Sequence, residues 1–146
     1  MELIRRASIH DAASLRVFDC DARTKWVREV QRLIRTDVAD ALDVADDQLT
    51  VLIAEDEGTL VGMVAYAPDE LGNHHIYALA VIASHRRRGI GTRLKRRVLA
   101  ETGTPVVSSV HRMNMPMLKL NETLNAQTAR DPADGEFQLT VVRPPI

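Results

Sequence analysis

The chain has 146 residues, 45% hydrophobic, 27% charged and 3% aromatic, with a formal net charge of −1. Such a length and composition fit one α/β-sized domain burying about 70% of its unfolded surface, and exclude wholesale disorder. No apolar run approaches the ~18 residues of a membrane span, and the single cysteine, Cys20, excludes an internal disulfide or a cysteine-rich zinc cluster.

Met1-Glu2-Leu3-Ile4-Arg5-Arg6 opens the chain without the apolar core of a signal peptide, so a reducing, cytoplasmic setting is expected. Leu3 to Ala7 reads as a strand. Ser8 and Asp11 have the spacing of a capping box, and Ala12, Leu15 and Phe18 follow at helical intervals. Trp26, Val27, Val30, Leu33, Ile34, Val38, Ala41 and Leu42 form the apolar stripe of a longer helix. Thr50–Glu55 and Thr59–Ala67 read as a hairpin around Asp56-Glu57-Gly58. His75–Ile82 is apolar on both faces, as a central strand is. Ile90, Leu94 and Val98 predict a helix over Gly89–Glu101, ended by Gly103 and Pro105. Val106–Val110 is a strand, Pro116–Leu124 a helix, Asp131–Gly135 a turn and Phe137–Val142 a last strand. The order β-α-α-β-β-β-α-β-α-β predicts a single α/β domain over 1-146, with a mixed, mostly antiparallel sheet and flanking helices.

The net charge conceals two regions. From Asp11 to Glu70 there are 14 acidic against 6 basic residues; from Arg86 to Arg97 there are seven basic residues and no acid. Within the second lies Ser84-His85-Arg86-Arg87-Arg88-Gly89-Ile90-Gly91-Thr92, a strand-turn-helix junction. The first N–H groups of a helix lack internal partners and sit at its positive end, so this turn is suited to an anion such as a pyrophosphate. It is neither a Walker loop nor a dinucleotide fingerprint, since Leu94 stands at the third glycine position. Five aromatic residues are too few for a single-strand stacking platform, so nucleic acid is not expected. Arg93, Lys95, Arg96 and Arg97 read as a solvent-facing helix surface.

The stretch from Leu79 to Leu94 resembles motif A of the GNAT superfamily of N-acetyltransferases, with Arg86, Gly89 and Gly91 at its defining positions and Ala83 where many members have proline. The element order fits that fold over essentially the whole chain. The resemblance implies acetyl-CoA as acetyl donor, its pyrophosphate on the amides of Arg86, Arg87, Arg88, Gly89, Ile90, Gly91 and Thr92. It further implies pantetheine along the backbone near Leu79 and Val81, in a gap between splayed strands. Asn114 matches the second family motif and is a further contact to the CoA arm or a helix N-cap. Asn121 stands where many members carry a tyrosine that protonates the departing thiolate, and asparagine is no acid, so that role is unassigned.

Acetyl transfer to an amine needs a base, because alkylamines titrate near ~10, and a donor for the developing oxyanion. The resemblance puts a catalytic Glu or His eleven residues before Arg86, which is His75; an imidazole suits a base at neutral pH. Simple alternation puts His75, Tyr77, Leu79 and Val81 on one face, with Tyr77 orienting substrate or water and a free N–H near Val81 as oxyanion donor. His74 points to the other face, so no metal site is expected, and His111 is a further candidate for the cleft. The reading is direct acetyl transfer from acetyl-CoA to a primary amine of a small molecule, peptide or protein. The acidic half favours a cationic acceptor. Two alternatives differ in class: a toxin-type relative acetylating aminoacyl-tRNA, which calls for a basic acceptor face, and a non-catalytic CoA-binding domain. Many relatives dimerise, so a homodimer is expected, and the last strand is available for pairing within the chain or with a partner.

Overall fold

Seven strands form one sheet in the order β1-β2-β3-β4-β5-β7-β6, in a computed structural model that describes residues 2–111, 114–130 and 137–144. The strands are β1 (Glu2–Arg6), β2 (Thr50–Asp56), β3 (Thr59–Pro68), β4 (His74–Val81), β5 (Val106–His111), β6 (Gln127–Arg130) and β7 (Phe137–Val142). The helices are α1 (Ala12–Arg16), α2 (Lys25–Leu33), α3 (Ala39–Asp43), α4 (Ile90–Thr102) and α5 (Met115–Thr123). The predicted capping box is present: Ser8 N–H donates to Asp11 Oδ2 at 2.8 Å, and Ser8 Oγ accepts from His10 N–H. Strand β6 was not predicted; it lies beside β7, which is thereby flanked on both sides within the chain. The predicted turn at Asp131–Gly135 lies outside the described residues.

All strand pairs are antiparallel except β4–β5, which are linked through α4 and run parallel. That pair is short. Only His74↔Val106 and His75↔Val107 are in register, whereas β4 follows β3 as far as Gly62↔Val81 and β5 follows β7 as far as His111↔Phe137. Each strand keeps to its other neighbour, so the sheet divides into two halves that part beyond His75 and Val107.

Two apolar layers cover the two faces. On one, Leu15, Phe18, Ile34 and Val38 pack on Val51, Ile53, Met63, Ala65 and Ala78. On the other, Ile90, Leu94 and Val98 of α4 pack on Leu52, Ala54, Val64 and Tyr66. The long predicted helix is continuous from α2 to α3 but passes through a π-turn at Ile34–Val38, both ends of which are buried. An inserted residue of this kind re-phases the stripe, so that Val27 and Val30 before it and Leu42 after it face the same layer. Helix α4 begins at Gly89, with φ of 78°, and ends at Gly103, with φ of 63°, whose N–H donates to Leu99 O at 2.9 Å. Both are left-handed conformations that glycine adopts without a Cβ clash.

Candidate active site

Where β4 and β5 part, a cavity of about 450 Å3 opens, walled by α2, by Ile76–Leu79 of β4, by Ser108–Val110 of β5 and by Lys95, Asn114 and Met117. It passes from the α2 face of the sheet toward the α4 face through the gap between the strands. At the α4 face lies the turn preceding α4. N–H groups from Arg87 through Thr92 donate to no protein acceptor among the described residues; the first helical bond is Arg93 N–H to Gly89 O at 3.0 Å. Arg87 sits at φ of 65°, a strained conformation for a residue with a Cβ, and Gly89 follows at 78°. Left-handed residues at alternate positions are an element of the turns that form anion nests. Arg87 and Arg88 are exposed and have no acidic partner among the described residues.

Arg86 serves the turn differently from Arg87 and Arg88. Its Nε donates to Val81 O at 3.2 Å, its guanidinium also bonds Cys20 O, and its N–H closes the short helical turn on Ala83 O. It ties the end of β4 to the segment after α1 and holds the nest in place. His85 is likewise structural: Nε2 meets Asp56 Oδ2 at 2.8 Å and Nδ1 meets Ser84 Oγ at 2.8 Å. Gly91 lies where a Cβ would come within 3.0 Å of Leu120 Cδ1, so its bareness lets α5 close on the start of α4. The Asn114 side chain accepts from Met117 N–H at 3.3 Å, making it the N-cap of α5 as well as part of the cavity wall.

Period-2 alternation fails on β4. Ala65 opposes Ala78 and Tyr66 opposes Ile76, which leaves Tyr77 as the extra residue of a β-bulge. His75 opposes Ala67 and so shares the face of Ala65 and Ala78, while Leu79 opposes Val64 on the α4 face. His75 and Leu79 are therefore on opposite faces, a correction to the expectation that one face holds His75, Tyr77, Leu79 and Val81. Val81 does not border the cavity; Ile76–Leu79 do.

His75 does not line the main cavity. It borders a neighbouring depression of about 270 Å3, with Ile76 and Tyr77 forming the wall shared with the main cavity. Its Nε2 lies 3.0 Å from Asp69 Oδ2. Asp69 Oδ1 accepts from Leu71 N–H at 2.8 Å and Asn73 N–H at 2.9 Å, so the carboxylate is fixed. Burial acts to raise the Asp69 carboxyl, but those amides and His75 outweigh it and hold it below the usual carboxylate range. A neutral imidazole donating from Nε2 to Asp69 carries its lone pair on Nδ1. Tyr77 is 59% exposed. The side chain of His111 lies outside the described residues.

Two residues of the cavity escape a reading by sequence. Glu29 on α2 is exposed, paired with Arg32 at 3.1 Å, and borders the cavity beside Lys25. Lys95 is fully buried, not solvent-facing, with Nζ donating to Ser108 Oγ at 3.1 Å and Asn121 Oδ1 at 2.6 Å. Its spacing offers the one available signal: Gly91, Lys95 and Leu99 make a second inward ridge beside Ile90, Leu94 and Val98.

The sequence matches the Acetyltransferase (GNAT) family over residues 14–117, more than half of the chain, and the protein belongs to that family. It is an acyltransferase whose acetyl donor is acetyl-CoA. The fold is similar to that of the PaiA N-acetyltransferase from Thermoplasma acidophilum in complex with coenzyme A (15% identity, TM-score 0.72, covering 98% of this chain and 99% of that one). It is also similar to a diaminobutyrate acetyltransferase from Paenibacillus lautus in complex with L-2,4-diaminobutyric acid and coenzyme A (19%, 0.68, 99% and 95%). A third similar structure is a ribosomal-protein-alanine N-acetyltransferase from Brucella melitensis (19%, 0.67, 95% and 97%). No curated protein matches the sequence.

Proposed function

We propose that the protein transfers the acetyl group of acetyl-CoA directly to a primary amine of a small molecule, peptide or protein. The observations that carry this are the gap between β4 and β5, which opens on the cavity under α2, and the acceptor-free amides of Arg87–Thr92 at the start of α4. In this reading the amides and the cationic side chains of Arg87 and Arg88 hold the pyrophosphate, with the Thr92 hydroxyl as a further donor. Backbone of β4 near Leu79, unpaired on its β5 side, bonds the pantetheine arm. The thioester lies at the bulge, where backbone N–H groups of Ile76–Leu79 stabilise the carbonyl oxygen as it gains charge.

The amine enters from the α2 side. Five of the fourteen acids of the first half pair away from the cavity: Asp11 and Glu55 with Arg5, Asp40 and Asp43 with Arg16, and Asp56 with His85. Glu29, which also meets Arg32, and Asp69, which also meets His75, are the acids that border the two depressions, and they carry the preference for a cationic acceptor. His75, oriented by Asp69, takes the amine proton at Nδ1 through a water, across the wall formed by Tyr77. Calorimetry with acetyl-CoA and CoA tests the donor site. A thiol-release assay over polyamines, aminoglycosides, amino acids and peptides tests transfer and identifies the acceptor; binding without release on any amine would leave a CoA-binding domain instead.

A further inference from the structure

Lys95 is a buried cation with no carboxylate beside it among the described residues. Its bonds are to Ser108 Oγ and Asn121 Oδ1, and an ammonium only donates, so both oxygens accept. That leaves the Ser108 hydroxyl proton to go elsewhere, and it has no acceptor among the described residues. Ser108 lines the gap one residue beyond the last β4–β5 pair, across from the Tyr77 bulge. Asn121 is itself buried, and its Nδ2 has no partner among the described residues, so its visible task is to hold Lys95. Lys95 of α4 and Ser108 of β5 thus form a directed chain of donors that ends in the gap, with Asn121 of α5 accepting from Lys95 behind it.

We infer that Ser108, backed by Lys95, delivers the proton that the departing CoA sulfur requires. The inference rests on the reading that the gap holds acetyl-CoA with its thioester at the bulge. The amine nitrogen attacks the carbonyl carbon; the C–N bond forms, and the C–S bond breaks with its electron pair on sulfur. The Ser108 hydroxyl proton moves to sulfur and a Lys95 proton moves to Ser108 Oγ. The products are the amide, CoA thiol and a neutral Lys95 amine. The proton lost from the amine nitrogen leaves to the base and solvent, and Lys95 regains one from solvent after product departs. Burial pushes the Lys95 ammonium down to about 8, close to the ordinary value of a thiol, about 8.5, a matching that favours transfer between them. A buried cation without a counter-ion is costly, and negative charge developing on sulfur opposite it relieves that cost as the C–S bond breaks.

The test needs no acceptor. CoA thiolate is followed by its ultraviolet absorbance during a pH titration of CoA bound to the wild-type protein. The bound thiol is expected to ionise about one pH unit or more below free CoA, since a nearby cation favours the thiolate. Lys95→Met and Lys95→Gln should abolish that shift and Ser108→Ala should weaken it. A bound thiol that titrates like free CoA in the wild type, or a shift that persists in both Lys95 variants, overturns the relay alone. Failure of the wild type to bind CoA overturns the acetyl-CoA reading and the relay with it.

Discussion

At the scale of single residues, the proposed base is held by a fixed carboxylate. His75 is fixed by Asp69, and Asp69 by two loop amides. His75→Ala is expected to lower kcat/KM about a hundredfold. Asp69→Asn should lower it less. Full activity of His75→Ala across the neutral range, measured with the identified acceptor, would contradict the base assignment. Lys95 supplies a second prediction, of stability. Its folded value of about 8 lies below the ordinary value of 10.5, so in that window the unfolded chain binds the extra proton. Below about 8 both states are charged and the folded state carries the full cost, about 3 kcal/mol. Wild-type stability relative to Lys95→Met should therefore rise as pH climbs from about 8 to 10.5, as denaturant titrations at several pH values would read. A flat difference would mean that Lys95 is not desolvated.

At the scale of elements, the start of α4 is where backbone geometry and ligand chemistry meet. A Cβ at Gly89 meets nothing within 4 Å, so Gly89→Ala isolates the cost of the left-handed backbone. It should destabilise the fold by about 1 kcal/mol and weaken CoA binding by turning the amides. Arg87→Gly relieves strain instead and should raise stability by about 0.5–1 kcal/mol. Arg88→Gln should flatten the salt dependence of CoA affinity, measured by calorimetry at several ionic strengths. These elements were largely legible in the sequence. The stripe of Ile90, Leu94 and Val98, the capping box at Ser8 and Asp11, and the glycines around α4 each carry a local physical signal that does not depend on distant contacts. The bulge was not legible, because alternation along His75–Val81 contains no mark of a register shift that only pairing with β3 creates. Lys95 was hidden among arginines, and a lysine's burial is decided by what α5 and β5 bring to it. The short strand β6 has too few apolar residues to announce itself, and the π-turn inside the long stripe leaves the apolar count unchanged.

At the scale of the whole molecule, function follows from a sheet held together in two halves. β4 belongs to the β1–β4 half and β5 to the half with β7 and β6, and their shared ladder ends after two pairs. The open backbone edge that results faces the cavity under α2. The last strand, available to a partner on the sequence reading, is enclosed by β5 and β6, which leaves β1 and β6 as the sheet's edges. The most direct test of the account is a calorimetric titration of acetyl-CoA into the wild-type protein and into Gly89→Ala. The account predicts binding at one site per chain, weakened in the variant and weakened by salt. No heat with either acetyl-CoA or CoA, from a folded wild-type protein, would contradict it.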